Sequence, residues 1–340
     1  MLEHKVFAEG VAKDIKEYLP PDYADVECTV MEKSKNNGTV MVGLALRKPD
    51  VQVTSVLYVE PYYEEICQGK PIGEVMEKIA DTAQEVMERN QFIDLPDIKD
   101  YENAKEYLEV KIINTRANRR ELKGLVHREN EDLSLIPFLK FPLPGQDITG
   151  SVKVSHELMD CWNISADMVM DQAWQNTRQK EPPTLKGLVD MLSEVTIGHP
   201  IAGNLLTETE PMQEGRKEMA YVLSNTSGVF GAAYLTCPET MEKISGLFPE
   251  GFYLLPSSVH EIIVVPKDKD SPEQGKNLKE LGEMVRAVNR TSMEKEDVLS
   301  DRIYEFDKES RKVRQVPESI KKKGEWNDEK EEYIIHVPLK

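Results

Sequence analysis

Apolar residues in the first part of the chain recur with two different periods, which predict a helix, a hairpin and a second helix. Residues 3–18 and residues 72–90 carry apolar positions at helical spacing. Between residues 25 and 46, two runs have apolar residues at every second position, as in strands with one buried face. The pair Asn37-Gly38 separates these runs. Because both residues tolerate positive φ, the pair predicts a tight hairpin turn.

The rest of the chain predicts short strands and helices joined by turns that contain Pro, Gly or Asn. Strands are predicted at 54–59, 107–114, 133–141, 151–154, 220–224, 229–235, 252–255, 261–265, 301–307 and 313–316. Helices are predicted at 117–126, 169–176, 185–192, 239–247 and 278–290. These elements predict an α/β protein of the α+β type, with mixed or antiparallel sheets, flanking helices and two lobes.

The length of 340 residues corresponds to two domains of about 150 residues each. Pro142-Leu143-Pro144-Gly145 is the strongest turn sequence near the middle of the chain. We therefore predict an N-terminal lobe over 1–145 and a C-terminal lobe over 146–316. A charged tail over 317–340 follows, and its YIIHV sequence predicts a terminal strand.

The charge of the chain narrows the range of partners. Asp and Glu number 61 against 43 Lys and Arg, for a net charge of −18. Such a surface repels phosphate backbones and anionic membranes, so we expect neither direct nucleic-acid binding nor membrane binding. The N-terminus lacks the apolar core of an export signal, and no apolar run approaches the length of a membrane span. A cytoplasmic location and a protein partner are the resulting expectations.

Cofactor and metal motifs are absent from the sequence. The four cysteines are far apart, without the paired spacing of zinc sites. The acidic loops do not follow the spacing of a calcium loop, and no glycine-rich phosphate loop occurs. We therefore expect no metal and no cofactor.

Leu255-Pro256-Ser257-Ser258-Val259-His260-Glu261 brings two hydroxyls, an imidazole and a carboxylate together in sequence. A nucleophilic serine needs a base and an orienting acid, which makes Ser257, Ser258, His260 and Glu261 catalytic candidates. The structural alternative is a Pro-Ser-Ser turn with His260 bonded locally beside a strand. That alternative is favoured, because triads are normally assembled from distant segments and no nucleophile-elbow motif occurs.

Residues 114–128 form a basic segment in this acidic chain. Guanidinium groups recognise carboxylates and phosphates through paired hydrogen bonds. The anion-binding candidates are Arg116, Arg119, Arg120 and Arg128. The alternative is a solvated helix face whose arginines are neutralised by neighbouring acids.

Several long stretches together resemble one known family. They are YVLSNTSGVFGAAYL and FYLLPSSVHEIIVVP in the second half, and KNNGTVMVGL and VLYVEPYYEEICQGKPIGEVMEKIA in the first. They resemble the uncharacterised proteins of domain-of-unknown-function family 5688, which occur largely in gut Firmicutes and often with mobile elements. The resemblance covers most of residues 1–316. It implies a bacterial source and supplies neither an activity nor catalytic residues.

Three functional hypotheses follow. The first is a cytosolic, non-catalytic accessory or interaction protein linked to a mobile element, which needs no catalytic motif and fits the charge. The second is an enzyme of undescribed type that uses Ser258 and His260 or the basic segment from Arg116 to Arg128. The third is an acidic mimic of nucleic acid. The first is the leading hypothesis.

Thiol titration in denaturant without reductant is expected to find all four cysteines as free thiols. Their separate positions give no disulfide framework, and a reducing compartment keeps such thiols unpaired. A count of two or none would contradict this expectation.

Overall fold

The structure is a computed structural model in which the chain forms two compact units. Unit 1 comprises Met1–Pro182 and Glu294–Val298, and unit 2 comprises Pro183–Met293 and Leu299–Lys340. The residues that the structure describes are 2–49, 54–90, 96–142, 149–199, 203–208, 218–256, 258–267, 274–317, 324–327 and 332–335.

Unit 1 contains seven α-helices and seven strands among its described residues. The helices are α1 (Leu2–Asp14), α2 (Glu60–Cys67), α3 (Ile72–Asn90), α4 (Tyr101–Ala104), α5 (Arg119–Leu122), α6 (His156–Trp162) and α7 (Ala166–Lys180). The strands are β1 (Glu27–Ser34), β2 (Val40–Arg47), β3 (Ser55–Tyr58), β4 (Leu108–Asn114), β5 (Arg128–Asn130), β6 (Leu133–Pro142) and β7 (Thr149–Lys153).

The first sheet of unit 1 is antiparallel, with the order β1-β2-β3. Alternation along β2 buries Val42, Leu44 and Leu46 on one face. Helices α1 and α3 contribute buried residues such as Val11 and Ile79 to the same core cluster. The amphipathic periods predicted from the sequence therefore converge on one hydrophobic core.

The second sheet of unit 1 has the order β4-β6-β5, and β7 also pairs with β6. Pro137 has no N–H to donate, but it lies in β6 at the gap between β5 and β7, where no described strand residue pairs with it on that edge. Its carbonyl accepts a hydrogen bond from the Val154 amide at 3.2 Å. Helix α7 covers the free edge of β4. The Val110 amide donates to Thr177 Oγ1 at 3.0 Å, and Asn176 Nδ2 donates to the Leu108 carbonyl at 2.9 Å.

The turn between β1 and β2 is built on two buried asparagines. Asn37 adopts φ 58° and Gly38 φ 66°, the positive φ values that the Asn-Gly pair predicts, but they lie in a five-residue connection over 35–39 rather than in a two-residue turn. The backbone amide of Asn37 donates to Asn118 Oδ1 at 2.8 Å, and the side-chain Nδ2 of Asn118 donates back to Asn37 Oδ1 at 3.0 Å. Asn37 is 9% exposed and Asn118 is 3% exposed. The asparagine pair therefore joins the hairpin to the loop that precedes α5 in one buried polar contact.

The same turn holds the late segment 294–298 within unit 1. Asn37 Nδ2 donates to the carbonyl oxygens of Lys295 at 2.8 Å and Val298 at 2.6 Å. Asn36 Nδ2 donates to a third carbonyl of the segment at 2.6 Å. Backbone groups of a segment without regular structure are thus satisfied by side chains.

Unit 2 contains three α-helices and eight strands among its described residues. The helices are α8 (Leu188–Ile197), α9 (Pro238–Leu247) and α10 (Gln274–Thr291). The strands are β8 (Pro183–Gly187), β9 (Tyr221–Asn225), β10 (Phe252–Leu255), β11 (Ile262–Pro266), β12 (Tyr304–Asp307), β13 (Lys312–Gln315), β14 (Gly324–Asn327) and β15 (Glu332–Ile335).

The main sheet of unit 2 is antiparallel, with the order β13-β12-β10-β11-β9-β8. On one face Tyr253 and Leu255 pack with Val285 of α10 and with Ile303. The predicted hairpin at 301–316 is present as β12 and β13. In the tail, β14 and β15 pair with each other, so the YIIHV sequence does contribute a strand.

The contacts divide the chain at Pro182 and Pro183, whereas the sequence predicted lobes over 1–145 and 146–316. Strand β7 lies after the predicted boundary, yet it pairs with β6. Helix α7 also lies after that boundary and covers β4. Residues 143–148 of the proposed connection lie outside the described residues.

The fold class predicted from the sequence, α+β with antiparallel sheets and flanking helices, is confirmed. Helix α3 begins and ends at the predicted residues 72 and 90. The strand predicted at 229–235 is wrong, because Gly231–Thr236 forms a 3-10 helix. Phe230 has φ 59° there, and a Cβ at Gly231 would lie 2.5 Å from the Asn225 amide nitrogen, so the chain turns too tightly for a strand. The predicted helix at 185–192 is instead strand β8 followed by α8.

In the part of the chain that the structure describes, the helices are too short or too polar to cross a membrane.

We expect Asn37→Ala to lower the free energy of unfolding by about 2–5 kcal/mol. Alanine in the left-handed region costs about 1–2 kcal/mol, and the two part-buried hydrogen bonds to the carbonyls of Lys295 and Val298 are lost, at about 0.5–1.5 kcal/mol each. Asn163→Ala is a matched control, because Asn163 is exposed at φ 52° and carries only the backbone strain. Urea unfolding of both variants measures the difference, and equal losses would contradict the proposed role of the carbonyl contacts.

Candidate functional site

The structure places Ser258 and His260 in the turn between β10 and β11, while Ser257 lies outside the described residues. The His260 amide donates to Ser258 Oγ at 3.0 Å. The Phe230 amide donates to His260 Nδ1 at 3.3 Å, and the Phe230 ring stacks on the imidazole at 5.4 Å between centroids. Ser258 thus contacts the main chain of His260.

These contacts are those of a turn beside a strand. The lone pair of His260 Nδ1 accepts a hydrogen bond from the Phe230 backbone amide, so this nitrogen is not available to deprotonate a serine. The His260 carbonyl accepts from the Ser224 hydroxyl at 2.9 Å, which fixes the turn to β9. Glu261 is half-buried immediately before β11. The geometry therefore favours the structural interpretation of this sequence.

The basic segment does not form the single helix predicted at 117–126. Helix α5 has only four residues, because Leu125 bridges to Ser155 and the Val126 amide bonds to the Val154 carbonyl. Arg116 is exposed in the turn before α5, and Arg128 begins β5. The structure therefore distributes the four arginine candidates over a turn, a helix and a strand.

Arg128 is neutralised by acids of α7. Its guanidinium lies 2.7 Å from Asp167 and 3.7 Å from Asp171. The neighbouring Glu129 lies 3.7 Å from His127. These pairs are exposed and contribute little stability. They show that Arg128 and Glu129 pair with residues outside α5.

Arg119 and Arg120 differ from Arg128. Both are exposed on α5, and among the described residues no carboxylate lies within ion-pair distance of either one. Glu121, the acid next to them in sequence, instead lies 2.5 Å from Lys153. The acid that could have neutralised these two guanidiniums is therefore paired with another residue.

Sequence analysis missed a buried lysine on β4. Lys111 is 8% exposed, and its ammonium lies 4.7 Å from the centroid of the Phe138 ring. Burial lowers the pKa of Lys111 to about 8, and the positive charge of Lys153 contributes to the same shift. In the sequence, Lys111 alternates with apolar neighbours, a pattern that normally marks a solvent-facing side chain.

Lys111 belongs to a group of four charged residues that we call the lysine cluster: Lys35, Lys111, Lys153 and Glu121. Lys153 is on β7, Glu121 is on α5, and Lys35 is at the β1–β2 turn, with its ammonium 4.5 Å from the centroid of the Tyr58 ring. Lys153, Glu121 and Lys35 are among the charged groups that act on Lys111. With its lysines protonated, the cluster therefore carries three positive charges and one negative charge.

A second ionic group on the same face of the sheet contains more acids than bases. Lys140 Nζ lies 2.9 Å from Glu181 and 3.6 Å from Glu109. Burial lowers the pKa of Lys140, but the hydrogen bond to Glu181 and the attraction of Glu109 outweigh it and raise the pKa. Burial raises the pKa of Glu109 against the attraction of Lys140. Lys140 is thus paired with two carboxylates.

Thiols and metal ligands give no further site. The four cysteines are free, as predicted, and burial raises the pKa of Cys28 to about 11, which makes it unreactive. Within the described ranges, no three His, Cys, Asp or Glu residues are grouped so that they could hold a metal ion.

Comparison with known proteins gives one match. The model of a family described as Family of unknown function (DUF5688) matches residues 4–308. Neither the curated proteins nor the solved structures include a match.

We expect Lys111→Met to change how stability depends on pH. A lysine whose pKa falls from 10.5 in the unfolded chain to about 8 in the folded one destabilises the fold below pH 8. At about 1.4 kcal/mol per pKa unit, this cost is a few kcal/mol, and it disappears as the pH rises toward 10.

The variant should therefore gain stability relative to the wild type at pH 7 and lose most of this advantage by pH 10. Urea unfolding of both proteins at each pH measures the difference. A difference that does not depend on pH would contradict the assignment of a low pKa to Lys111.

Proposed function

The chain belongs to the DUF5688 family, and we propose that it is a non-catalytic interaction protein that binds an acidic partner through Arg119 and Arg120. The observation that carries this proposal is the state of α5, where two exposed guanidiniums have no carboxylate within ion-pair distance among the described residues. Lys123, one turn from Arg119, is exposed as well. Positive charge is therefore concentrated on a short stretch of an otherwise acidic chain.

Electrostatics explains why such a stretch suits an acidic protein segment. Guanidiniums and carboxylates form paired, geometrically specific hydrogen bonds. The net charge of −18 repels an acidic partner at long range, so binding is favoured where basic residues are concentrated. A long polyanion such as nucleic acid would extend over the repelling surface, which weighs against a nucleic-acid ligand.

The two alternatives have less support. An enzyme centred on Ser258 and His260 would need an imidazole nitrogen directed at the hydroxyl, whereas Nδ1 accepts from the Phe230 amide. A nucleic-acid mimic would need a continuous negative surface. The exposed Arg119 and Arg120 interrupt it near α5.

The proposal extends to location and biological setting. Four free thiols are consistent with a reducing cytoplasm. The resemblance described above favours a Firmicutes source and a link to a mobile element. Fractionation of the native cells with a specific antibody would test the location directly.

We expect the double variant Arg119→Gln/Arg120→Gln to bind a ten-residue polyglutamate peptide about tenfold more weakly than the wild type. Each exposed ion pair contributes up to about 1 kcal/mol, and two such pairs correspond to about a tenfold change. Fluorescence anisotropy at low salt measures the affinity. Added salt should weaken binding to the wild type, because these charges are exposed to solvent.

The matched control is Arg47→Gln/Arg290→Gln, which removes two exposed arginines elsewhere and changes the net charge equally. This control should retain wild-type affinity. Equal losses in both double variants would show that only net charge matters, and the assignment to α5 would then be withdrawn. Thermal unfolding of each variant checks that the fold is intact.

A further inference from the structure

Strand β1 forms a long edge of the first sheet. It has eight residues, and among the described residues it pairs with a strand on one side only, β2. Its register with β2 is continuous from Glu27 to Ser34, without a bulge, and it contains no proline. Proteins often protect an edge of this length with such features, because unpaired N–H and C=O groups attract a further strand. The β1 edge is therefore a template for strand pairing.

The hydrogen bonds on the two sides of β2 show which backbone groups of β1 point away from the sheet. The Lys35 amide donates to the Thr39 carbonyl at 2.7 Å, and this pair continues the β1–β2 register. On the other side of β2, the Val59 amide donates to the Val42 carbonyl at 3.0 Å. Because hydrogen-bonded pairs alternate along an antiparallel ladder, the odd-numbered residues of β1 bond to β2. The backbone groups of the even-numbered residues, such as Val30, point to the free edge.

The side chains of β1 place two opposite charges symmetrically about Val30. Val30 packs against the core cluster, so the odd-numbered side chains lie on the solvent face. Glu27 and Lys33 are exposed on that face, three positions on either side of Val30, and neither has an ion-pair partner among the described residues. Glu32, the other charged residue near the centre of the strand, is already paired with Lys5 at 3.1 Å. Glu27 and Lys33 thus remain able to pair with another molecule.

We propose that the β1 edge binds the β1 edge of a second copy of this chain, antiparallel, with Val30 on the two-fold axis. A two-fold interface brings the same surface of both copies together. In this register Glu27 of each copy lies directly opposite Lys33 of the other, on the same face of the sheet. The outward backbone groups of the even-numbered residues form the hydrogen bonds. Two three-stranded sheets then become one six-stranded sheet.

Charge selects both the occupant and the register. A shift of the second copy by two residues is the smallest that keeps the outward backbone groups paired. Such a shift sets Glu27 opposite Met31 or beyond the end of β1, and the ion pairs are lost. The net charge of −18 makes two copies repel each other at long range, so association requires complementary charges at the contact. The arrangement of Glu27 and Lys33 supplies them only to a strand of the same sequence pattern.

This inference goes beyond the proposed function and does not depend on it. It concerns the β1 edge, whereas the partner surface uses Arg119 and Arg120 on α5. Sedimentation measures association between copies of the chain, and anisotropy measures binding of the polyglutamate peptide. Either proposal can therefore fail while the other holds.

The first test is sedimentation equilibrium of the full chain in about 0.15 M salt. The wild type should form a reversible dimer. Lys33→Glu and Glu27→Lys each turn both ion pairs into like-charge contacts, and each should weaken self-association about tenfold or more. Lys99→Glu is the matched control for Lys33→Glu, because Lys99 is exposed in the loop before α4 and the net charge changes equally. This control should dimerise nearly as the wild type does.

Two results of this test would overturn the proposal. One is a wild type that stays monomeric up to about 1 mM. The other is an equal loss of self-association in Lys33→Glu and Lys99→Glu, because net charge alone would then explain the effect.

Mixing the two single variants tests the register. A copy with Glu27→Lys presents two lysines and a copy with Lys33→Glu presents two glutamates, so both charge contacts of a mixed pair are attractive. An equimolar mixture should form heterodimers with about the wild-type affinity, although each variant alone associates weakly. The double variant Glu27→Lys/Lys33→Glu keeps the net charge and should dimerise as the wild type does. If neither the mixture nor the double variant recovers, the proposed register is wrong.

Glu32→Pro tests whether the backbone of the edge holds the two copies together. The Glu32 amide points to the free edge, so proline removes an outward donor while the bonds of the odd-numbered residues to β2 remain. Self-association should fall about tenfold or more. Glu32→Ala is the matched control, because it removes the ion pair with Lys5 and keeps the amide. Thermal unfolding checks the fold of each variant, and a folded Glu32→Pro that dimerises like Glu32→Ala would overturn edge pairing.

Discussion

Unit 1 depends on the reciprocal hydrogen bonds between Asn37 and Asn118. The two residues are 81 positions apart, and both are buried, so each amide would be costly to leave without its partner. Asn37 also holds the carbonyls of Lys295 and Val298. The N-terminal hairpin, the α5 loop and a segment from late in the chain are thus fixed by one polar contact. Because segment 294–298 is part of it, unit 1 is complete only after residue 298 has been synthesised.

The same contact positions the arginines that we propose to bind an acidic partner. Arg119 and Arg120 follow Asn118 directly. A four-residue helix has little stability of its own, because the entropy lost in fixing its backbone exceeds the stabilisation from the single hydrogen bond of its first turn. The tertiary contact of Asn118 therefore holds α5 in place. The fold of unit 1 and the position of the candidate site on α5 therefore depend on the same contact.

Local patterns in the sequence predicted much of the fold but little of the site. The helical period of residues 72–90 and the Asn37-Gly38 turn both give the observed elements, because they are local features. The domain boundary depends on the pairing of β7 with β6, a long-range contact that turn sequences do not encode. Lys111 has the alternation of an exposed residue, and only the covering of its sheet face by other elements makes it buried. Arg119 and Arg120 were found because clustered charge is visible in sequence.

The two ionic groups on the sheet face differ in how burial acts on a lysine. Around Lys140 the fold supplies two carboxylates, which raise its pKa against the effect of burial. Around Lys111, burial and the positive charges of Lys153 and Lys35 oppose the attraction of Glu121, and the pKa falls to about 8. Burial of Lys111 therefore costs stability at neutral pH, whereas burial of Lys140 is compensated by its ion pairs.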